Sequence, residues 1–342
     1  MRVALFLVTI IQGFVAIATV SAQCAAPPVP TNGSAPPPMP TIGHLQPMPI
    51  ASGGMCMVGS CEFTTWTARE SNRDWRSIAS SADGTRLAAT ANGGQIYTST
   101  DSGVTWTARE SNRAWSGIAS NADGTHLAAV VGGGQIYTST DSGVTWTARE
   151  SNRTWPSIAS SDDGTRLAAV AWLDQIYTST DSGVTWTARE SNRGWHDIDS
   201  SSDGTRLAAV AWGDQIYTST DSGVTWTARE SNRGWRGIAS SSDGTRLAAV
   251  ANGAQIYTST DSGVTWTARE SNRDWRGIAS SADGTRLAAT VNGGQIYTST
   301  DSGVTWTARE SNRNWLSITS SADGTRLAAA VNGGQIYTST CQ

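Results

Sequence analysis

From residue 61 onward the chain is written in short, largely apolar runs broken by turn residues, four runs to a unit. In the first unit they are WRSIAS (75 to 80), RLAATA (86 to 91), QIYTST (95 to 100) and TWTARE (105 to 110). Each has the length of a strand, and none reaches the roughly ten residues of a globular helix. The separators are ADGT at 82 to 85, NGG at 92 to 94 and DSGV at 101 to 104. Asp-Gly and Asn-Gly are hairpin signals because these residues tolerate positive φ. The pattern predicts an all-β chain, with four antiparallel strands per unit.

The unit recurs every 40 residues, TWTARESNR returning with its Trp at 66, 106, 146, 186, 226, 266 and 306. A period of about 40 to 45 residues with four strands per repeat is that of one propeller blade. The expected fold is therefore a seven-bladed β-propeller over residues 61 to 342. WRSIAS is expected innermost in each blade and TWTARE outermost.

The third separator carries a resemblance. Ser99-x-Asp101-x-Gly103-x-Thr105-Trp106 matches S-x-D-x-G-x-T-W, so the chain resembles the Asp-box (BNR) repeat propellers. Six complete copies occur, at Asp101, Asp141, Asp181, Asp221, Asp261 and Asp301. The family includes sialidases, some endoglucanases, sortilin-like receptors and photosystem II assembly factors. The resemblance implies a structural box lying away from the active face. Physically, the carboxylate can accept backbone N–H groups, Gly permits positive φ, and Trp anchors the turn to the sheet.

The first TWTARE has no strands before it, and the last unit has no outer strand after QIYTST. Residues 64 to 70 are expected to complete the last blade. Cys61 and Cys341 stand at the same repeat position, that of the box Asp, so both ends converge on one turn. A Cys61–Cys341 disulfide is geometrically natural there. Cys56 is a rival partner, and with Cys24 four cysteines allow three connectivities.

Composition adds location. Met1-Arg2, the apolar stretch to Val20 and the small residues Ser21-Ala22 predict a secretory signal over 1 to 22, and no membrane span in the mature chain. Nine of ten prolines lie between Pro27 and Pro49, which predicts a stalk over 23 to 60. An extracellular location follows, and Asn32 and Asn152 begin glycosylation sequons. All 24 basic residues are Arg, yet the net charge is -4, which disfavours a nucleic-acid partner. The three histidines show no metal-ligand spacing, and no cofactor motif occurs, so neither metal nor cofactor is expected.

Among the seven units the positions equivalent to 74, 76, 77 and 90 to 94 differ most, and strand order places them on one face, the top. Drift in forgiving loops and a recognition surface both fit that distribution. Trp172-Leu173-Asp174 and Trp212-Gly213-Asp214 replace Asn-Gly-Gly in the third and fourth blades, beside His196-Asp197. An indole next to a carboxylate suits a sugar ring, so Trp172, Asp174, His196, Asp197, Trp212 and Asp214 form the expected ligand site. The alternative is that the two indoles pack on each other. The repeated Arg69, Glu70 and Arg73 ring is a second candidate.

An enzyme would need an asymmetric catalytic set. Tyr97 and its equivalents lie away from the axis, the Arg-Ile/Val-Pro signature of sialidases is missing, and only Asp174, Asp197, Asp199 and Asp214 stand out as carboxyls. A non-catalytic binding module, recognising a glycan or an extracellular protein, fits better. A structural component of a matrix or filament is the alternative, and a glycoside hydrolase the third.

Overall fold

The computed structural model describes residues 62 to 341, all strand and turn. Cys61, Asn32, the expected signal and the stalk lie outside the described residues.

Each blade is an antiparallel meander. In blade 1, Trp75 to Ser80 pair with Ala91 to Leu87, and Ile96 to Thr98 pair with Arg109 to Thr107. The expected four separate runs are fused pairwise: β1 (Thr67–Ser80) joins the outer strand of one blade to the inner strand of the next, and β2 (Leu87–Ser99) joins the middle two. The crossover stays extended because Arg73 and Asp74 keep ladder partners, Gly334 and Asn332. The slack is taken up by a bulge at Glu70, whose φ is +28°, and at its counterparts in five other crossovers, up to +43°. One crossover is broken into Thr147–Ala148, Arg153–Thr154 and Ser157–Ser160. Pro156 sits there and cannot donate to a ladder.

Trp75 and its six counterparts are at most 1% exposed, each in edge-on contact with the blade's Tyr at 5.0 to 5.2 Å. The core lies between blades: Ala128, Val130 and Ile136 of blade 2 pack with Trp155, Ile158 and Leu167 of blade 3. Each blade therefore buries its faces only with neighbours present, and the disc must close.

It closes twice. Thr67, Ala68 and Arg69 pair with Thr338, Tyr337 and Ile336, the register that Thr107 to Arg109 keep with Thr98 to Ile96. On the bottom face the amide of Ala82 donates to the carbonyl of Ala122, and the pattern passes through Asp162, Ser202, Ser242, Ala282 and Ala322 back to Ala82, at 2.7 to 3.0 Å. Seven backbone hydrogen bonds thus form a closed ring. Blade 7 has no Asp-box; Phe63 takes the place of its Gly, 4% exposed and 6.4 Å from Trp66.

Two of the variable positions, 90 and 91, are not surface: Thr90 and Ala91 are buried, because the strand runs on past residue 91. Residue 77 faces residue 90 across the ladder: Ser77 with Thr90, Gly117 with Val130, Asp197 with Val210. A Cβ on Gly117 would stand 3.0 Å from Val130, so packing constrains this pair in blade 2.

Candidate functional site

The six Asp-boxes are turns closed from within. Asp101 accepts from Ser99 Oγ (2.8 Å), Thr105 N (2.8 Å) and Thr105 Oγ1 (2.6 Å), while Trp106 Nε1 donates to Gly103 O at 2.9 Å. The Thr105 bonds hold the Asp101 pKa down at about 2. Asp83 in the ADGT turn is held at about 2 by Ser81 and Thr85. Every lone pair these carboxylates need for their turn is engaged on the bottom face.

On the opposite face the seven inner strands enclose a central channel of about 460 Å³. Residue 76 and its counterparts stand where each inner strand starts, at the top of that channel: Arg76, Ser116, Pro156, His196, Arg236, Arg276 and Leu316. Three of the seven are arginines, in blades 1, 5 and 6. Arg76 is neutralised by Asp74 at 2.9 Å and Arg276 by Asp274 at 3.1 Å. Arg236 follows Gly234 instead of an Asp, and among the described residues no carboxylate reaches it. Its guanidinium lies 4.0 Å over the Trp212 ring, and Nη1 donates to His196 Nε2 at 2.9 Å. Burial, then the neighbouring Arg276, pushes the Arg236 pKa down, and Asp274, beyond ion-pair distance, opposes them only in part.

His196 is held by the same residue at both nitrogens. An arginine only donates, so Nε2 accepts, and the assigned Nδ1–H donates to Arg236 O at 2.8 Å. Burial and the Arg236 charge bring its pKa to about 4, which keeps it neutral.

Asp197 and Asp199 lie deeper, in the channel wall. Asp197 accepts from Ser157 Oγ at 2.6 Å and from the Ile238 amide at 3.0 Å, spanning blades 3 to 5. Asp199 accepts from the amides of Ser200 (2.9 Å) and Ser240 (2.8 Å). These bonds cap the open edge of the blade 5 inner strand. Both side chains line the channel, half-buried by surface exposure yet enclosed by the ring of blades, and that enclosure raises Asp197 to about 6 and Asp199 to about 7.

The remaining expected site residues sit in the top loops. Asp174 pairs with Arg153 at 2.6 Å and Asp214 with Arg193 at 2.7 Å. Trp172 lies against Gly194 and Trp212 against Gly234, each glycine its ladder partner in the crossover to the next blade. Among the described residues no ring contact joins the two indoles. Trp212 is 37% exposed with one face under Arg236, and Leu173 beside Trp172 is 68% exposed. The structure thus gathers Trp212, His196 and Arg236, sets Asp197 below them, and commits Asp174 and Asp214 to arginines. In the second candidate ring, Arg73 and its counterparts each stand 4.4 to 4.6 Å over a Tyr, and each is within 3.7 Å of the preceding Glu. Asn152 is exposed in the broken crossover.

Arg236 and Arg276 were not among the expected site residues. The signal was present in three triplets, Asp-Trp-Arg at 74 to 76 and 274 to 276 against Gly-Trp-Arg at 234 to 236. Among the described residues no cluster of three or more His, Cys, Asp or Glu is placed to hold a metal ion, and no helix is long and apolar enough to cross a membrane.

No family model and no curated protein matches the chain. Solved structures do. A YCF48 bound to a D1 peptide superposes with a TM-score of 0.65 at 16% identity, over 81% of this chain and 97% of its own. YCF48 from Cyanidioschyzon merolae gives 0.64 at 17%, over 80% and 98%. At that identity the likeness is one of fold. This chain is an all-β, seven-bladed propeller with the fold of the YCF48 structures.

Proposed function

We propose that this chain is a secreted, non-catalytic binding propeller that takes up a polypeptide segment on its top face, over the channel mouth at blades 4 to 6. The observation that carries the proposal is the local loss of sevenfold symmetry there. Seven near-identical blades would present a uniform rim, but Trp212 and Arg236, beside the neutral His196, give this arc an aromatic face and a guanidinium with no carboxylate within ion-pair distance. Function on repeat scaffolds lives in such departures, because the scaffold itself needs none of them. The YCF48 propeller whose structure holds a D1 peptide is a precedent for a peptide on this fold. A sugar platform needs an open indole face, and Arg236 covers one face of Trp212, which favours polypeptide over glycan.

The reading includes an N-terminal signal, a proline-rich tether and a Cys61–Cys341 staple at the closing turn. What supports the staple is that Cys341 packs against the closing core that contains Phe63.

Display panning with a random peptide library, run beside a glycan array on the same full chain, tests the proposal. Peptides should enrich, and grafting the blade 1 residues Asn, Asp and Arg onto Trp172, Gly194 and His196, together with Trp212→Asn, should lower their affinity. Glycan capture without peptide enrichment would overturn it.

A further inference from the structure

The chain holds two worked examples of how its own top face binds a carboxylate. In blade 1, Asp74 Oδ2 accepts from Arg76 Nη2 at 2.9 Å and from Asn92 Nδ2 at 2.9 Å. In blade 6, Asp274 Oδ2 accepts from Arg276 Nη2 at 3.1 Å and from Asn292 Nδ2 at 3.0 Å. Two donors, one from the start of the inner strand and one from the loop after the second strand, converge on one oxygen. Blade 5 has both donors, Arg236 and Asn252, at the same repeat positions, and Gly234 where the Asp should be. No other blade combines this Arg and this Asn without the acid.

The missing acid is not replaced by another. Trp212 stands against Gly234, where a Cβ would come within 3.1 Å of the indole, so the ring has taken the space of an Asp side chain. It meets Arg236 with a π face, which attracts the cation but leaves its charge in place. Arg236 Nε is buried with no hydrogen-bond partner, as is Nε of Arg276, whose acid is in place, so the two blades differ in the carboxylate at the outer guanidinium nitrogens. His196, the other neighbour, is neutral and can only accept.

We infer that blade 5 is an acid-anchoring site: a carboxylate side chain of the bound polypeptide is held by Arg236 and Asn252 in the role that Asp74 and Asp274 play in blades 1 and 6. This rests on the polypeptide reading above and names the chemistry of its partner, an acidic segment. Trp212 then serves as a platform that keeps the guanidinium facing the mouth.

The chain also supplies the variant that tests the idea. Trp212→Asn with Gly234→Asp rebuilds in blade 5 the Asn–Asp ladder pair already present as Asn252 with Asp274 and Asn332 with Asp74. It keeps Arg236 and fills the anchor from within, and the other blades show that this arrangement folds. The probe is a fluorescein-labelled, C-terminally amidated peptide of alternating Glu and Ser, with its Gln counterpart, titrated into the full chain at fixed salt. The Glu peptide should bind about tenfold or more tightly than the Gln peptide, the margin of a charge-assisted hydrogen-bond pair. Trp212→Asn with Gly234→Asp, and separately Arg236→Gln, should reduce it to the Gln level, while Trp212→Asn alone should keep most of the preference. Equal binding of the two peptides by the wild type would overturn the anchor and leave the polypeptide reading standing. Binding of neither would overturn both.

Discussion

Ala68 pairs with Tyr337 across nearly the whole chain, in the register that joins Ala108 to Tyr97 within one blade. The N-terminal strand is thus the outer strand of the last blade. Deleting residues 61 to 70 should leave residues 336 to 338 as an unpaired edge and remove Phe63 and Trp66 from the closing core. The expected result is aggregation, seen by size exclusion with light scattering, and a monomeric, fully folded deletion would contradict the closure. Cys341→Ser should also lower stability, by up to about 5 kcal/mol in the chain-entropy limit for so long a loop.

Asp141 stands for the six boxes. Asp141→Ala removes three acceptor contacts, with Ser139 Oγ, Thr145 N and Thr145 Oγ1, and should cost about 1 kcal/mol in urea unfolding. Asp141 has its pKa lowered to about 2, chiefly by the Thr145 amide and hydroxyl. Folding is therefore favoured by this group above the unfolded carboxylate value of about 4, and that contribution fades as pH falls toward 2. The wild type should lose stability in this acid window more steeply than the variant.

Asp197 and Asp199 act with the opposite sign. Their raised values, about 6 and about 7, mean that the folded chain binds more protons than the unfolded chain between about pH 4 and 7, so their contribution to stability falls as pH rises through that window. Replacing Asp197 by Ser and Asp199 by Ala, the residues of blades 1 and 3, should raise neutral-pH stability by about 1 to 3 kcal/mol and flatten its pH dependence. Thermal unfolding at pH 4.5 and pH 7.5 decides this, and a double variant less stable at both values would show that the strand-edge caps outweigh the buried charge.

Trp212 and Gly234 are predicted to be coupled. Gly234→Ala in the wild type brings a Cβ against the indole and should destabilise, whereas the same change with Trp212→Asn should be close to neutral. A double-mutant cycle by urea titration reads the difference, and additive effects would contradict the contact.

What was legible in the sequence is what is local or periodic. The box turn is closed by residues two and four apart, Ser99 to Asp101 and Asp101 to Thr105, so its spacing alone carries its structure. Blade count and closure follow from a 40-residue register. The partners of the unusual residues were not legible, because they lie a blade away: Asp214 on Arg193, Asp197 on Ile238, Arg236 on Trp212. These depend on how neighbouring sheets are set, which a repeat does not state. Yet Trp172 with Gly194 and Trp212 with Gly234 repeat the same pairing 22 residues apart, a correlation visible in the bare text.

The central claim is that ligand is taken up on the top face at blades 4 to 6, and photo-crosslinking tests it most directly. A benzophenone amino acid at Asn232, exposed in the top-face crossover into blade 5, and another at Val304, 57% exposed on the bottom-face box of blade 6, place two probes on opposite faces. With the peptide enriched by panning, the Asn232 probe should capture it and the Val304 probe should not. Capture at Val304 with none at Asn232 would put the ligand on the structural face and contradict the account.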